Sequence, residues 1–165
     1  MPSLKKVLHK KKYIKIKLKK ITTNHLELKA EINGIKGRFI LDTGASNSCV
    51  GVDLIPYFNL HAEESETKAA GAGAIDMETQ KSTNNTLKIG KWKTKESHLV
   101  LFNMTHVNTA LTQHNAREVH GIIGADILEM AKAIIDYDKM VLYLKEEPIF
   151  KKKRVFKEDK MEIPF

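Results

Sequence analysis

The chain has 165 residues, of which 42% are hydrophobic and 29% charged, a size and composition that fit one globular domain with its own core. The lone cysteine, Cys49, excludes an internal disulfide and a multi-cysteine metal cluster. No apolar run reaches the roughly 18 residues of a membrane span, and the first residues lack the continuous apolar stretch of a secretory signal, so a cytoplasmic protein is expected. The net charge of +8 is unevenly spread: residues 1–20 hold nine lysines and no acid, while residues 21–144 hold 12 bases against 15 acids. The expected layout is a basic N-terminal extension over 1–20, a domain over 21–145, and a basic tail over 146–165 that contains Lys151-Lys152-Lys153-Arg154. Such runs attract nucleic acid or anionic membrane, or are solvated extensions. The body is mildly acidic and Tyr13 is the single aromatic residue of the arm, so nucleic-acid binding is the weaker reading.

Taken in chain order, the pattern is mostly β, with period-2 alternation in short segments. Tyr13 to Leu18 alternates as a strand with one wet face. His25 to Ile32 alternates again, Asn33-Gly34 supplies a hairpin turn, and Ile35 to Leu41 returns, ending in Phe39-Ile40-Leu41. Cys49 to Val52 reads as a short buried strand, and Asp53 as the cap of a short helical stretch to Leu60 limited by Pro56. Residues 61–86 read as a mobile hairpin tipped around Gly71-Ala72-Gly73. Leu87 to Ile89 and Trp92 to Phe102 are strands about a Gly90-Lys91 turn, and Trp92 is a packing residue. Asn103 to Val119 lacks clear periodicity and is expected to be loop. Gly121 to Gly124 is an apolar strand between glycines, Ala125 to Ala131 a short helix, and Ala133–Asp136 and Met140–Leu144 frame a tight turn. The expected fold class is mostly β, a small closed barrel with one or two short helices.

The segment Phe39-Ile40-Leu41-Asp42-Thr43-Gly44-Ala45-Ser46 carries the chemistry. Three large apolar residues drive a strand into the core and an acid follows at its end, where partial desolvation makes ionisation costly unless donors reach the carboxylate. Gly44 lets the backbone turn and bring an N–H to that carboxylate, Ala45 keeps the loop narrow, and the hydroxyls of Thr43 and Ser46 can brace it. The bland reading is a strand-to-turn junction in which Asp42 merely starts the turn. Other candidates are weaker. His98, His106, His114 and His120 match no zinc spacing, and neither a metal nor a cofactor is expected. Cys49 sits in an apolar strand and reads as a small buried hydrophobe rather than a nucleophile. The glycines near residue 71 lack the spacing of a phosphate loop.

Asp42-Thr43-Gly44-Ala45-Ser46 after an apolar strand resembles the active-site signature of aspartic proteases. Gly121-Ile122-Ile123-Gly124-Ala125-Asp126-Ile127-Leu128 resembles the second signature of the retropepsin-like, retroviral-type family in its bacterial single-domain form. The glycine-containing segment between them falls where that family has its flap, and Ala133–Asp136 with Val141–Leu144 resembles its closing strand pair. The resemblance covers about residues 25–144 and implies a closed acid-protease β-barrel. It implies Asp42 as the catalytic residue, supported by Thr43, Gly44, Ala45 and Ser46. Ala70, Gly71, Ala72, Gly73 and Ala74 would cover the substrate, and Ile122, Ile123 and Gly124 would form the structural second motif.

This chemistry needs two carboxylates sharing one proton around a water, and the chain holds one Asp-Thr-Gly. Asp126 lies in an expected helix where the family position varies, so the resemblance implies Asp42 of a second copy as the partner, in a homodimer. The substrate is then an extended peptide or protein segment, held mainly by backbone hydrogen bonds because the flap has no aromatic residue. The basic terminal segments depart from the retroviral pattern of terminal dimer contacts, and the strand at Tyr13 either joins the sheet or masks the cleft. The activity implied is that of an aspartic endopeptidase; the alternative is a catalytically silent dimer serving as a peptide-binding or assembly module.

Overall fold

The computed structural model describes residues 1–66, 69–71 and 74–147, which leaves the expected flap residues Ala72 and Gly73 and the basic tail cluster outside the described residues. The chain opens with helix α1 (Leu4–Lys10), capped by the Ser3 side chain, and then enters strand β1 (Tyr13–Lys17) and the two-residue strand β2 (Lys19–Lys20). Strands β3 (Leu26–Ile32) and β4 (Ile35–Leu41) form the expected hairpin, with Ile32 opposite Ile35. Both turn residues have positive φ, Asn33 at 50° and Gly34 at 81°, the geometry that matches the twist of the strands they join. Asn33 also ties this turn to a distant strand, donating from Nδ2 to Asn85 Oδ1 (2.9 Å) and accepting at Oδ1 from the Thr86 amide (3.0 Å).

Beyond the Asp42 loop come β5 (Cys49–Gly51), β6 (Glu63–Glu64) and the separate hairpin of β7 (Ala69–Gly71) with β8 (Ala74–Met77). Long strands β9 (Gln80–Ile89) and β10 (Trp92–Phe102) follow, then helix α2 (Thr105–Gln113), β11 (Gly121–Ile123), helix α3 (Ala125–Met130), β12 (Ile134–Asp136) and β13 (Val141–Lys145). Strands run β3-β4-β11-β5-β10-β9, and pairing of Ile32 with Leu87 brings β9 back to β3, so six strands close a barrel. Closure leaves no open edge among those six, and their inward side chains, including Phe39, Val50, Leu87, Leu101 and Ile123, are fully buried.

Four readings of the sequence change. Asn103 to Val119 is not loop: α2 occupies most of it, which makes three short α-helices among the described residues rather than one or two. Its Thr, Asn and His residues are indifferent helix formers, and the helix is stabilised by Met104 and Leu111 packing beneath it. Asp53 caps no helix to Leu60; a single 3-10 turn spans Val52–Leu54, because Pro56 has no amide to continue the ladder. Ser82 to Thr86 belongs to β9, where Ser82 and Asn85 are buried and satisfy each other through a 3.0 Å bond.

The fourth change concerns the basic N-terminal segment. β1 pairs with β13 over five residues, and β13 with β12, as a second three-stranded sheet. Ile16 and Leu18 enter the main core, while Leu8 of α1 packs on Val141 and Tyr143. The lysines of β1 lie on exposed positions between these anchors. Ile16→Ala is therefore expected to cost about 2–5 kcal/mol in urea unfolding. An unchanged midpoint would mean that residues 13–17 contribute nothing to the folded body.

Candidate active site

Asp42 follows the last residue of β4, and its loop is defined by short backbone bonds. Its amide donates to the Ile123 carbonyl (3.0 Å), the Gly44 amide donates to Asp42 Oδ1 (2.9 Å), and the Ala45 amide donates to the Asp42 carbonyl (3.2 Å). Gly44 thus does what its place in the sequence suggests, bringing an N–H to the carboxylate. Asp42, Thr43, Gly44 and Ser46 are exposed and Ala45 is half-buried. The expected partial desolvation of Asp42 is not seen among the described residues, where Asp42 is exposed.

The hydroxyl that braces the loop belongs to Ser48, not to Ser46. Ser48 is fully buried; its amide (2.9 Å) and its hydroxyl (2.7 Å) both donate to Asp126 Oδ1, and its Oγ accepts from the Gly124 amide (2.9 Å). The Ala125 amide completes the tie by donating to the Ala45 carbonyl (2.7 Å). Asp126 is therefore a structural acid in the first turn of α3, with its oxygen committed to Ser48. The signal for Ser48 in the sequence was a lone polar residue before the apolar run Cys49-Val50. What it bonds to, 78 residues away, had no local trace.

Gly124 is required by space. A Cβ there would stand 2.6 Å from the Ala45 carbonyl oxygen and 2.9 Å from that of Asn47, both backbone atoms of the Asp42 loop. Ile123 is fully buried beside it, and Ile122 faces outward, half-buried. The two sequence motifs are thus in contact, with β11 parallel to β4 and Ile123 opposite Leu41. Of the flap residues, Ala70 and Gly71 lie in β7 and Ala74 in β8. Among the described residues no group of three or more His, Cys, Asp or Glu could hold a metal ion.

The family model described as aspartyl protease matches residues 28–127, a span that contains both motifs and the barrel strands between them. The chain belongs to the aspartyl protease family. Solved structures agree on the fold. A retropepsin-like aspartic protease from Rickettsia conorii is similar at 20% identity, covering 80% of this chain and 89% of that one, with a TM-score of 0.52. The EIAV protease, solved with the inhibitor HBY-793, is similar at 19% identity over 67% of this chain and 90% of its own, with a TM-score of 0.51. The retroviral protease-like domain of Ddi1 from Leishmania major is similar at 14% identity, covering 77% and 97%, with a TM-score of 0.50. No match to a curated protein sequence reaches significance.

Two ionisable groups of this aspartyl protease fold lie close to the motifs without belonging to them. Burial pushes the Cys49 thiol up to about 12, so the thiolate is inaccessible and Cys49 is a packing residue. His120, just before β11, stacks on Tyr57 with ring centres 5.6 Å apart and accepts the Arg38 amide at Nδ1 (3.0 Å). Burial first, and the Arg38 charge second, hold it below its ordinary value of 6.5. The unfolded chain then binds a proton that the folded ring refuses, so His120 contributes stability above pH 6.5 that is lost as pH falls below it. His120→Gln is expected to flatten that part of the stability–pH curve, read by urea unfolding at a series of pH values.

Ser48→Ala would leave Asp126 Oδ1 and the Gly124 amide short of a partner, at a cost of about 1–3 kcal/mol. Gly124→Ala is expected to displace the Asp42 loop, seen as amide shifts for residues 42–48 in heteronuclear NMR spectra. A spectrum unchanged in that loop would show that it can absorb the extra carbon.

Proposed function

We propose that the chain is an aspartic endopeptidase working as a homodimer, in which Asp42 of each copy supplies one of two catalytic carboxylates. One carboxylate takes a proton from a water held between them as that water attacks the scissile carbonyl. The other, protonated, donates a hydrogen bond to the carbonyl oxygen as charge develops there. Thr43 would bond across the two-fold axis, Gly44 would support the carboxylate through its amide, and Ala45 and Ser46 would line the cleft. The segment from Ala70 to Ala74 would close over an extended peptide, with Ile122, Ile123 and Gly124 as the brace behind. A single buried thiol fits a reducing compartment, and we read the enzyme as cytoplasmic.

The observation that carries this reading is the exposure of Asp42 at the end of a strand whose loop is held from behind by Gly124, Ala125 and Asp126. A braced loop that offers its one acid to the outside is incomplete alone. An open groove of about 390 Å³ adjoins it, lined by Thr43, Ala125, Leu128, Ala133 and Ile135 with Glu129 and Lys132 at its rim. A second copy related by a two-fold axis at Thr43 would cover that groove.

Asp42→Asn is expected to abolish cleavage of a diverse peptide library while leaving peptide affinity and dimerisation intact. Retained turnover in that variant would remove Asp42 from the mechanism; binding without turnover in the wild type would instead favour a silent peptide-binding module. Ile135→Lys places a charge in the groove and is expected to make activity depend on protein concentration, falling at least about tenfold on dilution, in step with dissociation by sedimentation.

A further inference from the structure

Helix α1 lies on the outer face of the second sheet. Leu8 seats it on Val141 and Tyr143, whereas Ile14 and Ile16 of β1 and Leu142 and Leu144 of β13 point the other way, into the main core. β12 shows the same division. Ile135 packs against the main core and lines the groove beside Thr43, while its neighbour Ile134 packs with Leu8. The groove near Asp42 and helix α1 therefore lie on opposite faces of this sheet.

What α1 presents to the outside is mostly cationic. Lys5, Lys6, Lys10, Lys11 and Lys12 are exposed, and Lys15 and Lys17 are exposed on the same side of β1 as Tyr13. Among the described residues none of these lysines pairs with a carboxylate. The acids of the β12–β13 turn are engaged locally: Asp136 accepts the Lys139 amide (2.9 Å), and Asp138 pairs with the Lys139 ammonium (2.6 Å). Leu4, one helical turn before Leu8, is 49% exposed, so an apolar side chain stands among the lysines.

Pairing of β1 with β13 also gathers the two basic segments of the sequence. Tyr13 lies opposite Lys145, and the Glu146 amide donates to the Lys12 carbonyl (2.9 Å), so Glu146 and Glu147 stand beside the end of α1. Four residues after Glu147 the sequence reads Lys151-Lys152-Lys153-Arg154, flanked by Ile149-Phe150 and Val155-Phe156. Basic segments from the two ends of the sequence thus start from one place on the body.

We propose that α1 and the segment 149–156 form a docking surface for an anionic lipid membrane. The ammonium groups sit among the lipid phosphates, and Leu4 and the apolar residues around Lys151 to Arg154 enter the acyl boundary. Nucleic acid fits this surface less well. Residues 1–20 contain no arginine to fork onto phosphates, and Tyr13 is packed in the Leu8 cluster with the Lys145 ammonium 6.0 Å from its ring centre, so it offers no free face to a base. Contact through α1 leaves the groove on the other face of the sheet open, so peptide and membrane are held at once. The surface is independent of the peptidase reading.

The test is co-sedimentation of the full chain with vesicles of phosphatidylcholine, alone or mixed with an equal part of phosphatidylglycerol. Binding is expected on the anionic vesicles alone and weakens as salt is raised. Lys5→Gln, Lys6→Gln, Lys10→Gln and Lys11→Gln combined are expected to lower it at least about tenfold, and so are Lys151→Gln, Lys152→Gln, Lys153→Gln and Arg154→Gln combined. Lys29→Gln, Lys36→Gln, Lys81→Gln and Lys95→Gln combined remove the same charge from exposed positions on barrel strands and are expected to change binding by less than about twofold. An equal loss in all three variants would reduce the effect to net charge and overturn the proposal, as would unchanged binding in either of the first two. The wild type alone gives a second reading, with a nitroxide-labelled lipid in bicelles of the same anionic mixture. Broadening of amide NMR signals in residues 4–12, with those of residues 42–48 unaffected, supports the surface, and the reverse pattern overturns it. Binding of a nucleic-acid duplex but not of anionic vesicles at the same salt also overturns it.

Discussion

The Asp42 loop depends on one missing side chain. Because Gly124 presents no Cβ, the carbonyls of Ala45 and Asn47 approach the start of α3 closely enough for the Ala125 amide to reach Ala45. Ser48 then bridges the same two segments, engaging Asp126 and the Gly124 amide with a single hydroxyl. The Ser48–Gly124 bond is fully buried and the Ser48–Asp126 bonds are partly so, and a buried polar group left unpaired costs more than the bond itself gains. The loop therefore has few alternatives. Its acid lies exposed, with Oδ1 held by the Gly44 amide.

That rigidity is transmitted by the barrel. β4 and β11 run parallel and side by side, so the carboxylate loop and the glycine that backs it leave the sheet at the same level. Pairing of β3 with β9 closes the six strands and fixes their relative positions, and Asn33 reinforces the closure by bonding to Asn85 and Thr86. The inward face is filled by branched and aromatic side chains. The outward face of the same central strands is also apolar near Asp42, an unusual demand for a sheet of this kind, and α2 meets it. A barrel strand that is hydrophobic on both faces needs a second layer, and here that layer borders the acid.

The N-terminal segment shows how charge and packing can mislead when read apart. Nine lysines in twenty residues look like an appended tail, yet Ile14, Ile16 and Leu18 alternate with them. The alternation decides the outcome: the lysines stay in water while the isoleucines join the core, and β1 becomes the outer strand beside β13. Lysine on such an edge also discourages further strand pairing.

The hairpin at Asn33-Gly34, the strand that delivers Asp42, and the linked Gly121–Gly124 motif were all legible in the sequence, because each rests on a local rule of backbone geometry or alternation. The same holds for the β12–β13 pair and for Cys49 as a buried residue. α2 was missed because its helix propensity is indifferent and its stabilising contacts come from strands far along the chain; the spacing of Met104, Val107 and Leu111 was the faint signal. Thr43 and Ser46 were read as the bracing hydroxyls and Ser48 was passed over for a similar reason, since proximity to Asp42 in sequence says nothing about which hydroxyl faces Gly124. The sequence by itself thus determined the strands that carry the two motifs and the acid that follows the first of them, properties written in short-range pattern. Only the tertiary structure decided which buried groups hold that acid and what covers the apolar face beside it, because hydrogen bonds and packing across about 80 residues arise only once the barrel has closed.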